Sequence, residues 1–162
     1  MEVPSKKIQC KSSDLEPLVL PLLRGRVFHV TEEEKFDDII RRGSIYSTRP
    51  EPFMLSFGRA KESYGSKRGW VSLFDLSNPH DADIRETLLR YYFFKSVHKD
   101  KAQICILFIA RDAWSSLISW QRARREVAGT ELYVPFVEAW YPADIPLNLI
   151  TDGLIVRVQS DP

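Results

Sequence analysis

Residues 26–43 read Arg26-Val27-Phe28-His29-Val30-Thr31-Glu32-Glu33-Glu34-Lys35-Phe36-Asp37-Asp38-Ile39-Ile40-Arg41-Arg42-Gly43. The first five residues have the pattern of a short β-strand. Thr31 followed by Glu34 has the form of a capping box, and the acids Glu32, Glu33 and Glu34 suit the positive end of a helix dipole. Phe36, Ile39 and Ile40 make one apolar stripe at helical spacing. Arg41 and Arg42 fit the last turn, and Gly43 fits a left-handed cap. A strand leading into a capped helix without a glycine-rich turn argues against a Rossmann-type start. Three acids stand where that fold binds a pyrophosphate, and they would repel it.

Towards the N-terminus, Leu15, Leu18, Val19, Leu22 and Leu23 repeat at helical spacing after a second capping-box pattern, Ser13 to Glu16. Pro21 is expected to kink or end that helix, and Gly25 closes it. Residues 1–12 are polar and without period, so a flexible tail is expected there, ahead of a single domain over 13–162. Towards the C-terminus, turn residues fill 44–69, with room for a short helix near 56–64. Trp70–Asp75 reads as a strand and Asp81–Phe94 as a helix. Ile104–Ala110 is an apolar strand buried on both faces, Arg111–Val127 is mostly helical, and Tyr133–Trp140 is strand-like. Ile145–Ile150 is a loop or helical turn, and Leu154–Val158 a last short strand. Short strands spread between helices predict an α+β class.

Composition narrows the function classes. The chain has 162 residues, 44% apolar and 28% charged, as ordinary globular proteins have. With 23 basic and 22 acidic residues the net charge is +1, so bulk charge gives no attraction to nucleic acid or membranes. No apolar run approaches the roughly 20 residues that span a bilayer. The start lacks a secretory pattern, so a cytoplasmic location without membrane association is expected. Cys10 and Cys105 are too few for a disulfide framework. There is no P-loop, dinucleotide fingerprint, Cys-x-x-Cys pair, His-Glu-x-x-His or nucleophile elbow. His29, His80 and His98 are too scattered for zinc spacing, and no metal is expected.

The constellation that survives begins with Glu138, in Tyr133-Val134-Pro135-Phe136-Val137-Glu138-Ala139-Trp140-Tyr141-Pro142. Strand alternation would give Val134, Phe136, Glu138 and Trp140 one shared face. A carboxylate among large apolar groups is costly to bury without partners or a task. The plainer alternative is a solvated glutamate at a sheet edge. His29 on the first strand and Ser72 on the middle strand are the other candidates. Alone, either residue suits an ordinary structural role.

The order of these residues resembles the ADP-ribosyltransferase superfamily, above all small bacterial branches such as the DarT-type toxins that modify DNA. The resemblance spans about residues 26–158. It rests on Phe28-His29-Val30-Thr31 with Arg42-Gly43-Ser44-Ile45 at one end. At the other it rests on Glu138-Ala139-Trp140 with Pro142 and Ile145-Pro146-Leu147-Asn148-Leu149-Ile150. It implies a split, bent pair of small sheets with flanking helices and NAD+ as substrate in the cleft between them. It implies Glu138 as the catalytic residue, with His29, Thr31 and Ser72 on the NAD+ side and Arg49 gripping a phosphate. It leaves nicotinamide stacking open between Tyr46, Tyr64 and Phe74. The implied acceptor is DNA, RNA or protein in a toxin or phage-conflict setting, with an immunity or antitoxin protein as partner. Arg122, Arg124 and Arg125, with Lys95, Lys99 and Lys101, are candidates for a basic surface, or else a solvated helix face. The alternative is a non-catalytic module of the same fold that binds a nucleotide, nucleic acid or protein.

Overall fold

The structure is a computed structural model that describes residues 2–47, 63–78, 103–127 and 131–159. The expected helix over Asp81–Phe94, with its Tyr91–Phe94 aromatic run, lies outside these residues. So do Arg49, Lys95, Lys99, Lys101, His80, His98 and most of 56–64. Among the described residues the class is α+β. Nine strands form a seven-stranded mixed sheet and a two-stranded one.

The strands are β1 Ser5–Lys11, β2 Val27–Glu32, β3 Ser44–Ile45, β4 Val71–Asp75, β5 Gln103–Ile109, β6 Ile118–Ser119, β7 Glu138–Tyr141, β8 Ile145–Pro146 and β9 Ile150–Gln159. The large sheet runs β1-β9-β5-β2-β4-β7-β6, and β3 pairs with β8. The apolar run expected to be buried on both faces is β5, next to the middle of the sheet, with Ile104 to Ile109 all buried.

Helix α1, Leu15–Leu23, lays Leu15, Val19, Leu20 and Leu23 on the sheet face that carries Phe28, Phe74, Ile106, Phe108, Leu154 and Val156. Helix α2, Glu33–Arg42, lays Phe36, Ile39 and Ile40 on the opposite face, against Val27, Leu73 and Leu107, with β3 and β8 beside it. The sheet is therefore the middle of three layers. Gly43 ends α2 at φ 81° and donates its N–H to the Ile39 carbonyl, the left-handed cap expected from the sequence. Helix α3, Trp120–Glu126, covers the far end of the sheet. Its N-cap Ser119 accepts from the Arg122 amide.

Several expectations are corrected. Within the stretch 1–12 expected as a flexible tail, Ser5–Lys11 form β1, which runs parallel to β9 from Ser5 opposite Gly153 to Lys11 opposite Gln159. Its apolar content is only Ile8 and Cys10, packed on the core, while Lys6, Lys7 and Lys11 are exposed, and lysines on an edge strand discourage pairing with other chains. Helix α1 runs on through Pro21 to Leu23. Neither capping box forms a side-chain cap, because β2 extends to Glu32, and Asp14 rather than Ser13 precedes α1. Arg111–Val127 breaks into a 3-10 turn over Arg111–Ser116, then β6 and α3. The strand expected over Tyr133–Trp140 starts only at Glu138, because Pro135 cannot donate to a ladder and Phe136 is left-handed at φ 68°.

Candidate active site

The site lies where the large sheet nearly divides. Strands β2 and β4 pair only through Val27 opposite Asp75 and Phe28 opposite Phe74. Beyond that point β2 continues along β5 to Glu32, and β4 continues along β7 to Val71. At the parting, His29 Nδ1–H donates to the Ser72 carbonyl at 3.0 Å. A carbonyl can only accept, so this bond places the proton on Nδ1. A side chain thus bridges the two strands just past their last recorded pair.

Register brings the other members together. Phe108, Phe28, Phe74 and Glu138 stand opposite one another across β5, β2, β4 and β7. Phe28 stacks on Phe74 with ring centroids 5.5 Å apart, and Phe108 meets Phe28 edge-on. The next row holds Ser72 opposite Trp140. Ser72 is exposed while Trp140 is fully buried, so the surface opens on the β4 side of Glu138.

Glu138 itself is only 8% exposed; it and Thr31 are the buried polar residues among those described. Its carboxylate Oε2 accepts from the Val134 amide at 2.6 Å. The Glu138 amide in turn donates to the Val134 carbonyl at 3.1 Å. Val134 and Glu138 thereby close a five-residue turn with Phe136 exposed at its tip, against Trp120. The solvated sheet-edge alternative is excluded, since the side chain is inside and β6 lies beyond it. Burial pushes the Glu138 carboxyl up to about 7. The Val134 amide, the Ser72 hydroxyl and the Trp140 indole each pull it back towards the charged form.

The other expected residues divide. Thr31 is buried opposite Cys105 on β5, further along β2 from the parting. Tyr64 does not line an open cleft. It is 0% exposed, packed on Trp140 at 4.8 Å and Trp70 at 5.7 Å, with the Arg68 guanidinium 3.7 Å over its ring. Its hydroxyl donates to Glu126 Oε2 at 2.5 Å. Burial first, and that bond second, raise the Tyr64 phenol. Tyr46 is exposed after β3, near Arg42. Phe74 is half-buried and directly opposite Glu138.

Of the basic residues, Arg122 bonds Glu126 at 2.8 Å, while Arg124 and Arg125 are exposed on α3. The sequence puts Trp140 on the face of Glu138 but gives no sign of the seat beneath it at Gly65. A Cβ on Gly65 would come within 2.1 Å of the Trp140 ring, so the indole rests directly on the Gly65 backbone. The spacing Glu138-Ala139-Trp140 does give carboxylate and indole one face of β7, as expected from alternation.

Among the described residues no His, Cys, Asp or Glu group could hold a metal ion, and no helix is long and apolar enough to cross a membrane. No protein-family model, curated protein or solved structure matches the chain.

Proposed function

We propose that this chain is an NAD+-dependent ADP-ribosyltransferase with Glu138 as its catalytic carboxylate. The observation that carries the reading is the buried Glu138 carboxylate on β7, one strand from Ser72 and two from His29, beside the parting of β2 from β4. The single large sheet with a narrow join between β2 and β4 is consistent with the split pair of sheets that the sequence resemblance implies.

Cleaving the bond from ribose C1′ to the nicotinamide nitrogen leaves the electron pair on nicotinamide and positive charge on C1′ and the ring oxygen. An ionised Glu138 beside that carbon stabilises the transition state more than the ground state. The acceptor then bonds to C1′, and its proton passes to the carboxylate. In this reading His29 and Ser72 orient the nicotinamide-side ribose, and Phe74, directly opposite Glu138, stacks the leaving ring, since Tyr64 is enclosed and Tyr46 follows β3 of the two-stranded sheet. Nucleic acid or protein is the proposed acceptor, in a toxin or phage-conflict setting with a cognate immunity protein.

The experiment is nicotinamide release from NAD+ by the purified protein, with and without cell extract, beside Glu138→Gln. Release that the variant lacks, lowered by about 10²–10⁴ in rate, is the expected result. Stimulation by extract would distinguish transfer from hydrolysis. No release in either condition sinks the enzyme and favours the non-catalytic binding module.

A further inference from the structure

Trp140 is fully buried, and its Nε1–H has no hydrogen-bond partner among the described residues. An unpartnered buried donor has lost its water partners without compensation, so one that persists calls for an explanation. Four features hold it in place. Trp140 stands on the same face of β7 as Glu138. Its ring lies on Gly65, where even a Cβ has no room. Tyr64 packs against the indole at 4.8 Å, and Tyr64 is itself tied to Glu126 on α3. The indole therefore has little freedom to turn towards another acceptor.

On the same face of β7 stands an acceptor with spare capacity, the Glu138 carboxyl, whose Oε2 already takes the Val134 amide. The Trp140 N–H does not reach it with bonding geometry, yet lies close enough to favour its charged form. We infer that Trp140 is a positioning residue for Glu138: its fixed indole N–H closes a hydrogen bond onto the carboxylate when Glu138 ionises. With the Val134 amide and the Ser72 hydroxyl it completes a nest of three donors. Such a nest lets a carboxylate hold charge inside the sheet without a counter-ion.

The charged and titratable groups around the site have other engagements. His29 on β2 bonds the Ser72 carbonyl, and Asp75 at the end of β4 accepts from the Ser77 amide and hydroxyl. Behind the indole, Tyr64 and Arg122 both bond Glu126, while Arg68 pairs with Glu131. None of them contributes to the shift at Glu138. The inference deepens the transferase reading and rests on it only for its catalytic meaning.

The test is NMR on the full chain without NAD+. The Trp140 indole N–H signal, assigned by its through-space contacts with the Tyr64 ring, should move downfield as the pH rises through the Glu138 titration near 7. Glu138→Gln should abolish that movement. In Trp140→Phe the Glu138 carboxyl carbon should titrate about one pH unit higher, a tenfold loss of ionisation at fixed pH. An indole signal indifferent to this titration overturns the inference, as does an unshifted carboxyl in a folded variant. If Trp140→Phe fails to fold, the parent and Glu138→Gln spectra decide alone. Where nicotinamide release is measurable, the kcat/KM profile of Trp140→Phe should shift alkaline by the same unit. Absence of release overturns the transferase reading and leaves the NMR outcome to judge Trp140.

Discussion

At the scale of the residue, the buried position of Glu138 costs stability when its carboxyl ionises. Its folded pKa of about 7 lies above the ordinary carboxyl value near 4.5. Between those values the folded chain keeps a proton that the unfolded chain has released, so stability falls as pH rises from about 4.5 through 7. The full difference is on the order of 3 kcal/mol. Glu138→Gln keeps an acceptor for the Val134 amide but carries no charge. It should flatten this slope in denaturant melts at pH 5, 7 and 8, and be more stable than the parent at pH 8 while inactive. A parent with no loss of stability across that range would remove the argument. Gly65 gives the opposite kind of test. Gly65→Ala adds a methyl 2.1 Å from the Trp140 Cδ1 atom, and the obstacle is a buried ring rather than a flexible chain end. Overpacking of this sort costs about 1–3 kcal/mol, so the urea midpoint should drop and tryptophan emission change together. Glu138 could be read from sequence as a carboxylate in apolar company. The role of Gly65 could not, because it depends on a strand more than seventy residues away.

At the scale of the element, local rules were legible where local energy decides. Helix α2 has its stripe, its terminal arginines and its left-handed Gly43, and it forms where those signals say. β1 was illegible because its two core-facing residues, Ile8 and Cys10, sit among lysines. It exists because β9 offers an edge, which is a tertiary fact. β7 is shorter than its alternation suggests, because the pattern continues through Phe136, whose left-handed backbone breaks the strand. Helix α1 contradicts propensity in another way. Pro21 lies inside the helix and cannot donate towards Pro17, yet burial of Leu15, Val19, Leu20 and Leu23 outweighs the loss. Pro21 is itself exposed. Pro21→Ala should therefore stabilise by about 1 kcal/mol, the helix gain of up to ~3 being reduced by greater freedom of the unfolded chain. Thermal melts would register a rise in Tm. A fall would mean that the proline ring contributes to packing.

At the scale of the whole molecule, the join of β2 to β4 separates two unequal halves. On one side β1, β9, β5 and β2 are long and share the Ile106–Leu154–Val156 core. On the other, β4, β7 and β6 are short; α2 packs on Leu73 of β4, while Tyr64, Trp140 and α3 cover the end at β6. No sequence pattern announces such a division, because it is set by where a register stops rather than by any residue's preference. It does dictate how the molecule should breathe. Hydrogen exchange should be slowest in β5 and β9 and faster in β4 and β7, whose opening needs only the narrow join to give way. If NAD+ occupies the parting, as proposed, it ties the halves to each other. At a hundredfold excess over Kd, binding would add about 2.7 kcal/mol to stability. That gain should appear as slower exchange at His29–Val30 and Val71–Leu73, with β9 at the far side slowed only to the extent that its exchange runs through global unfolding. Exchange measured with and without NAD+ at low temperature, where local opening dominates, separates these cases. Protection confined to another part of the sheet would move the nucleotide away from Glu138 and take the transferase reading with it.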